Sequence, residues 1–283
     1  MTSNPSLLLG LIGDNISRSH SPRLHRLAGA QNALRVRYDS LIPIDLGRAF
    51  ETVLNESLDT GYRGLNITYP YKEKVVDLVR VHDPLVRAMG SVNTVLFEPE
   101  GPLGLNTDYT GFMAAYRAVR GNSEPGIVTM IGTGGVGRAV AFGLLGLGAH
   151  EVRLVDRDPA KAEALAEALN RAAPDLAVTI WVDAERAAAG ATGLINCTPI
   201  GMYGYEGTVL TAAAMQGAEW AFDAVYTPAD TQFLTEAKAA GLTIISGWEL
   251  FFYQGVHAWK LFSGRDVDEP KLRDSLIRQE DAA

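Results

Sequence analysis

The chain is poor in cysteine, in long apolar runs and in positive charge, and each shortage excludes something. A single cysteine, Cys197, in 283 residues excludes an internal disulfide framework and a cysteine-based zinc site, and suits a reducing compartment. No apolar run approaches the roughly 20 residues of a membrane-spanning helix. The stretch Leu7 to Ile12 lacks the basic segment and small-residue cleavage pattern of a signal peptide. Lys and Arg number 25 against 33 Asp and Glu, a formal net charge of −8, which argues against a nucleic-acid or anionic-membrane partner. The expectation is a cytoplasmic protein without a metal, acting on small molecules. Nothing in the sequence specifies an oligomeric state.

Apolar material is plentiful. Hydrophobic residues make up 47% of the 283, enough for two modest cores, and two domains are expected. Glycine is also frequent, at 29 residues, so a lone glycine pattern means little more than a turn. The central stretch Ile127 to Asp156 (IVTMIGTGGVGRAVAFGLLGLGAHEVRLVD) is more specific, because the pattern sits in its required context. An apolar strand runs into Gly132, Gly134 and Gly137, a helix follows, and a second strand ends at Asp156. Gly132 permits a tight turn, Gly134 lets backbone approach a pyrophosphate, and Gly137 lets the helix pack closely. The phosphates then sit on the helix N-terminus, at Gly135 and Val136, where N–H groups and the helix dipole favour negative charge. Asp156 lies about twenty residues on, where a carboxylate accepts hydrogen bonds from a free adenosine ribose.

Ahead of that unit the pattern reads β-α-β-α-β. The strands are Leu7 to Gly13, Val36 to Ile44 and Gly64 to Thr68; the helices are Pro22 to about Ala33 and Leu46 to Leu58. Tyr71 to Arg80 reads as a helix with Val75, Val76 and Val79 on its apolar face, which puts Lys72 in a first helical turn. Ser91 to Phe97 reads as a strand, and Asp108 precedes a helix to about Arg120. The turn-rich segment 121–126 is the expected boundary. Beyond Asp156, further strands are expected at 178–182, 193–197, 222–226 and 243–245, alternating with helices in a mostly parallel sheet. Two helices close the chain, at 248–262 and about 269–278, the first apolar on most sides.

Several polar residues fall where strands end, and the residues alone leave two readings open for each. Ser17, Ser19 and Ser21 converge on a helix start, as a cap with solvated neighbours or as a grip on a carboxylate. Lys72 belongs to a solvated Lys-Glu-Lys face, or is a functional lysine at a helix start the dipole disfavours. Asn93 ties down backbone or reaches a ligand. Asp108 is an N-cap or a functional carboxylate. His257 reads as a satisfied or peripheral histidine, and Gln254 as an amide able to face an interdomain cleft.

The order of short motifs resembles the shikimate and quinate/shikimate dehydrogenases over nearly the whole chain. SRSHSP at 17–22, NITYPYK at 66–72, SVNT at 91–94, NTDYTG at 106–111, NCTPIGM at 196–202 and YQG at 253–255 follow the family order. The resemblance implies an α/β fold of two domains, with the active site in the cleft between them. Residues 1–107 would form the substrate domain, with a mostly parallel sheet. Residues 108–247 would form a Rossmann-type cofactor domain, and 248–283 the helices that pack back on the substrate domain. It implies that Ser19 and Ser21 hold the substrate carboxylate, that Thr68, Asn93, Asp108 and Gln254 hold ring hydroxyls, and that Lys72 is the acid/base residue paired with Asp108. Tyr226 joins the expected substrate contacts. Cofactor contacts beyond the glycine turn are expected at Asp156, Arg157, Lys161, Cys197, Thr198, Pro199, Met202, Val225 and Gly247.

Many biosynthetic members resemble one another in a basic cluster after the second cofactor-domain strand, which holds a 2′-phosphate. This chain has Asp156, Arg157, Asp158 and Pro159 there, and two carboxylates repel a phosphate. NAD is therefore expected ahead of NADP, although Arg157 and Lys161 keep the other option open. The Leu-Asn-Ile-Thr-x-Pro-Tyr-Lys form and the Gly-Thr-Gly-Gly-Val-Gly loop look most like the quinate/shikimate branch. The Ser19 and Ser21 pair leaves shikimate at least as well favoured as quinate. The alternatives are an NADP-dependent biosynthetic enzyme, a dehydrogenase of amino-substituted shikimate or quinate, and a catalytically idle ligand sensor of the same fold.

Overall fold

The computed structural model describes residues 6–278. These form two compact units, one from the residues up to Thr107 together with those from Gln254 on, the other Asp108–Tyr253.

The first unit is built on a five-stranded sheet in the order β2-β1-β3-β4-β5. Its strands are β1 (Ser6–Ile12), β2 (Arg35–Leu41), β3 (Gly64–Ile67), β4 (Thr94–Glu98) and β5 (Gly101–Leu105). β1 pairs in parallel with β2 and β3, whereas β4 and β5 run antiparallel. All four β3 residues are buried, as an inner strand covered on both faces requires. The β4–β5 hairpin departs from the sequence reading, which has no strand at Gly101–Leu105. Gly101 turns the chain at φ +108°, and Pro102 is tolerated because β5 lies at the sheet edge.

The helix expected over Tyr71 to Arg80 shrinks to a five-residue 3₁₀ turn, Lys74–Leu78. Tyr71 is held by stacking on Phe50, with centroids 4.4 Å apart, and by its hydroxyl donating to Asp14 Oδ1 at 2.6 Å. At the other end Arg80 N–H donates to the Pro102 carbonyl at 2.9 Å, drawing the chain into an extended bridge with Leu103. No α-helical N-terminus therefore stands at Lys72. A short helix that the sequence reading lacks, Pro84–Met89, follows, capped by the Asp83 carboxylate.

The helix Ser21–Gln31 and the C-terminal part of the helix Gly247–Ser263 approach closely, because Gly255 leaves room for Leu24; a Cβ there would lie 2.5 Å from its Cδ1. His25 is buried beneath them, stacked on Tyr38 at 4.9 Å and packed against Trp259 and Phe262.

The second unit carries β6 (Ile127–Ile131), β7 (Glu151–Val155), β8 (Ala177–Trp181), β9 (Gly193–Asn196), β10 (Trp220–Asp223) and β11 (Thr243–Ile245). Every pairing is parallel, in the order β8-β7-β6-β9-β10-β11, the doubly wound arrangement of dinucleotide-binding domains. The chain order reverses between β6 and β9, and ligands of such sheets bind beyond the carboxyl ends of the strands at that point. β10 stops at Asp223, short of the Tyr226 expected from the sequence, because Asp223 turns its carboxylate back onto the Val225 N–H. The helix Thr107–Arg120 belongs largely to this unit, since Phe112 and Tyr116 pack edge-on against Phe222 and Trp220 at 5.0 and 5.1 Å. The segment 121–126 accordingly lies inside the second unit rather than at its border.

Burial lowers the His25 pKa from 6.5 to about 3, only partly opposed by a hydrogen bond with Asn66. The folded state thus refuses a proton that the unfolded chain accepts, so the stabilisation from neutral His25 is full above pH 6.5 and is lost as pH falls toward 3. Thermal melts of wild type and His25→Phe across that window should show the wild type losing stability relative to the variant as pH falls. A constant difference would refute this account.

Candidate active site

In the first unit, the segments after β1 and β3 are locked together. Gly13 lets Thr68 pack against it, since a Cβ would lie 2.3 Å from Thr68 Cγ2, and Asp14 N–H donates to the Tyr69 carbonyl at 3.1 Å. Ser19 sits in the first segment, with its Oγ accepting the Ser21 N–H at 3.3 Å. None of the three serines is the N-cap, so the capping reading does not hold, although Ser19 takes up the N–H of the first helical residue. That bond leaves the Ser19 O–H able to donate outward, and His20, which holds the N-cap position, makes no side-chain cap.

Thr68 and Lys72 occupy the second segment. Both are half-buried, and the Lys72 carbonyl accepts the Val92 N–H at 2.8 Å. The next residue, Asn93, has its backbone pinned on both sides: its carbonyl accepts from Ile67 N–H at 2.7 Å and its own N–H donates to Leu105 at 3.1 Å. Thr68, Lys72 and Asn93 thus lie on contiguous, hydrogen-bonded backbone at one end of the sheet. Gln254, half-buried, adjoins Gly255 where that glycine meets Leu24. Asp108 is buried in the first turn of the helix Thr107–Arg120, one residue past Thr107, which bonds Asn93.

In the second unit, Gly132 has φ +96°, and a Cβ there would lie 2.7 Å from the Cys197 carbonyl carbon. A Cβ on Gly137 would lie 2.2 Å from the Gly132 carbonyl oxygen, so the first turn of the helix Gly135–Gly146 packs directly on the loop. A Cβ on Gly134 would meet nothing within 4 Å, so the backbone there is open to approach at the helix N-terminus. This is the cradle a pyrophosphate requires, and the residues fit a dinucleotide.

Asp156 follows β7 and is fixed on both oxygens. Oδ2 accepts from the Thr133 N–H at 2.7 Å and its hydroxyl at 2.8 Å, and Oδ1 from the Asp158 N–H at 2.9 Å. Burial pushes its pKa up, but those bonds and the Lys161 charge outweigh it and hold the carboxyl below its ordinary range. Asp158 caps the helix Pro159–Ala172, while Arg157 and Lys161 are exposed.

The remaining expected cofactor residues lie on two loops, one after β9 and one after β10, and at the start of the helix after β11. Asn196 organises the first: its Oδ1 accepts from the Thr198 N–H and hydroxyl at 2.9 and 2.7 Å, and its Nδ2 donates to the Ile200 carbonyl at 2.9 Å. Cys197, Thr198, Pro199 and Met202 are carried on this loop. The same Nδ2 donates to Asp223 Oδ1 at 3.0 Å, which joins the two loops. Asp223 also accepts from Val225 N–H at 2.9 Å and the Thr231 hydroxyl at 2.6 Å. Gly247, which opens the helix Gly247–Ser263 after β11, packs against the second loop, because a Cβ would lie 2.4 Å from the Val225 carbonyl oxygen; Tyr226 stacks on Phe251 at 5.2 Å. Sequence reasoning passes over Thr133, Asn196, Asp223 and Thr231. The signal for two of them was a polar residue closing an apolar strand, in GLIN and WAFD. Among the described residues no cluster of three or more His, Cys, Asp or Glu is arranged to hold a metal ion, and no helix is long and apolar enough to cross a membrane.

A family model described as the shikimate dehydrogenase substrate binding domain matches residues 11–95. One described as NADP oxidoreductase, coenzyme F420-dependent, matches residues 127–246. The chain is 38% identical to a quinate/shikimate dehydrogenase (NAD(+)) of Corynebacterium efficiens, over 97% of this chain and 99% of that relative. It is similar to the structure of quinate dehydrogenase from Corynebacterium glutamicum in complex with NAD, with TM-score 0.90 and 33% identity, covering 97% of this chain and 100% of that one. Shikimate 5-dehydrogenase from Thermus thermophilus in complex with NADP(H) and shikimate gives TM-score 0.84 and 32% identity, covering 96% and 99%.

The buried carboxyl joining the two loops has a pH signature. Burial raises the Asp223 pKa from 3.8 to about 6 despite the three hydrogen bonds that favour its charged form. The folded state holds this proton more tightly than the unfolded chain, so the associated stability is full below pH 3.8 and is lost as pH rises through 6. Asp223→Asn keeps the acceptor oxygen but cannot ionise. The melting temperature of wild type relative to this variant should therefore fall as pH rises through that window, and a flat difference would contradict the assignment.

Proposed function

The chain belongs to the family of shikimate and quinate/shikimate dehydrogenases, and within it we propose that the protein reversibly oxidises a ring hydroxyl of shikimate or quinate to the 3-dehydro ketone, with NAD as hydride acceptor. The observation that carries the cofactor choice is the state of Asp156. A carboxylate held anionic and fixed by three donors still has about one acceptor site, on Oδ1, for a ribose hydroxyl, and it repels the charge of a 2′-phosphate.

NAD, when bound, supplies the acceptor for the electron pair that leaves the alcohol carbon. The side chains of this chain handle the rest. The hydroxyl must release its proton as the hydride departs, and Lys72 is assigned to take it as the free amine and to return it from the ammonium in the reverse direction. Asp108 is assigned to accept hydrogen bonds and so orient the reacting groups. Ser19 and Ser21 supply hydroxyl donors for the substrate carboxylate, a role supported by the outward donor left on Ser19. Thr68, Asn93, Gln254 and Tyr226 are assigned to the remaining polar groups of the substrate. The serine pair supports shikimate at least as strongly as quinate. A diffusible cofactor and a single buried thiol support a cytoplasmic setting.

A second reading, an NADP-dependent shikimate dehydrogenase, draws on Arg157 and Lys161, two exposed cations beside Asp156. Steady-state kinetics with shikimate and quinate, each with NAD and NADP, separates the two: the expected result is a higher specificity constant with NAD. Asp156→Ala should lower that constant with NAD by roughly 10- to 100-fold, the scale of a hydrogen bond to a charged group. Lys72→Ala should retain NAD binding and lose about 10² to 10⁴ in turnover, the usual worth of general acid/base catalysis. Near-normal turnover in that variant would remove Lys72 from the mechanism.

A further inference from the structure

Asn93 is the end of a buried chain of hydrogen bonds whose direction is set by one backbone group. Thr107 N–H lies 2.7 Å from the Asn93 side chain, and because a backbone N–H can only donate, the atom facing it is Oδ1. The Thr94 hydroxyl lies 3.0 Å from the same Oδ1 and 3.3 Å from Thr107 Oγ1, and the shorter contact, to an atom that can only accept, takes its proton. With that proton used, Thr94 Oγ1 can only accept from Asn66 at 3.2 Å, which identifies the facing atom as Nδ2. Asn66 Oδ1 is then turned to Tyr38, whose hydroxyl donates to it at 2.8 Å. All five residues are at most 5% exposed, so water does not compete for these groups.

The consequence lies at Asn93. Its carbonyl oxygen is taken by Thr107 and Thr94, and one N–H goes to Thr107 Oγ1 at 3.0 Å. The second N–H is the one function of this amide that no described residue takes up. We propose that Tyr38, Asn66 and Thr94 are positioning residues that lock Asn93 as a pure donor, so that it grips the substrate through a lone pair on a ring hydroxyl and never through that hydroxyl's proton. Aligned donors polarise one another, so the chain also strengthens the Asn93 N–H as a donor. It leaves the proton of the gripped hydroxyl to some other group. The inference rests on the assignment of Asn93 to the substrate.

Thr94→Val is near-isosteric and removes the link in the middle, while Thr94→Ser restores the hydroxyl. Expected for Thr94→Val is a rise in KM for shikimate of roughly 3- to 10-fold, the scale of one net hydrogen bond, with the Kd for NAD unchanged and with near-wild-type values in Thr94→Ser. Shikimate analogues each lacking one ring hydroxyl identify the gripped group: one analogue should be penalised in wild type and much less so in Thr94→Val. An unchanged KM in folded Thr94→Val, or an equal penalty for every analogue in both proteins, would overturn the proposal. Side-chain amide NMR of Asn93 reads the lock without turnover: its N–H protons should exchange slowly with solvent in wild type and faster in Thr94→Val. Wild type inactive on both shikimate and quinate would remove the functional reading, while the NMR comparison would still decide whether the chain exists.

Discussion

The bond from Thr107 N–H to Asn93 Oδ1, 2.7 Å long and buried, is the contact on which the substrate side of the structure depends. It joins the residue just ahead of β4 to the first turn of the helix that carries Asp108. Breaking it would leave a buried amide oxygen short of a donor and a helix N–H short of an acceptor, each costing about 1–3 kcal/mol. Asn93 is held again by its own backbone, between Ile67 and Leu105. A polar residue in so dry a place is constrained from every side, which suits a group that must not reorient when a ligand arrives.

The cofactor side meets the same constraint differently. There the buried polar residues stand at the carboxyl ends of parallel strands and tie loops to one another. Asn196 and Asp223 close β9 and β10 and join the loops that follow, while Asp156, just after β7, reaches the glycine turn after β6. Neighbouring parallel strands bring their ends together at one edge of the sheet, so a short side chain at each end can fix the next loop. The sheet supplies the alignment, and the polar residues convert it into rigid loops.

The glycine unit was the most legible part of the sequence, because Gly132 and Gly137 answer steric demands that no other residue meets. The hairpin β4–β5 was hidden, since Gly101 and Pro102 read as strand breakers and only an edge position makes them acceptable. The helix expected at Lys72 failed because apolar spacing at Val75, Val76 and Val79 reports burial, whereas the chain is pulled into a bridge at Arg80 by a partner distant in sequence. Asn66, Thr94 and Thr107 lie within recognisable motifs, yet a motif does not say which of its polar residues face inward. Tyr38 lies outside every motif, and only its pairing with Asn66 in space reveals its role.

Asp156, the residue proposed to meet the cofactor, is also held by the Thr133 N–H and hydroxyl and by the Asp158 N–H. An evolutionary or engineered change of cofactor preference therefore cannot treat this position as an independent letter. Replacing the carboxylate to admit a phosphate also strips the glycine turn of the group that fastens it, so positions 133 and 156 must change together or in a tolerated order. A cofactor preference carried by Asp156 is thus tied to Thr133, and drift at either one is held back by the other.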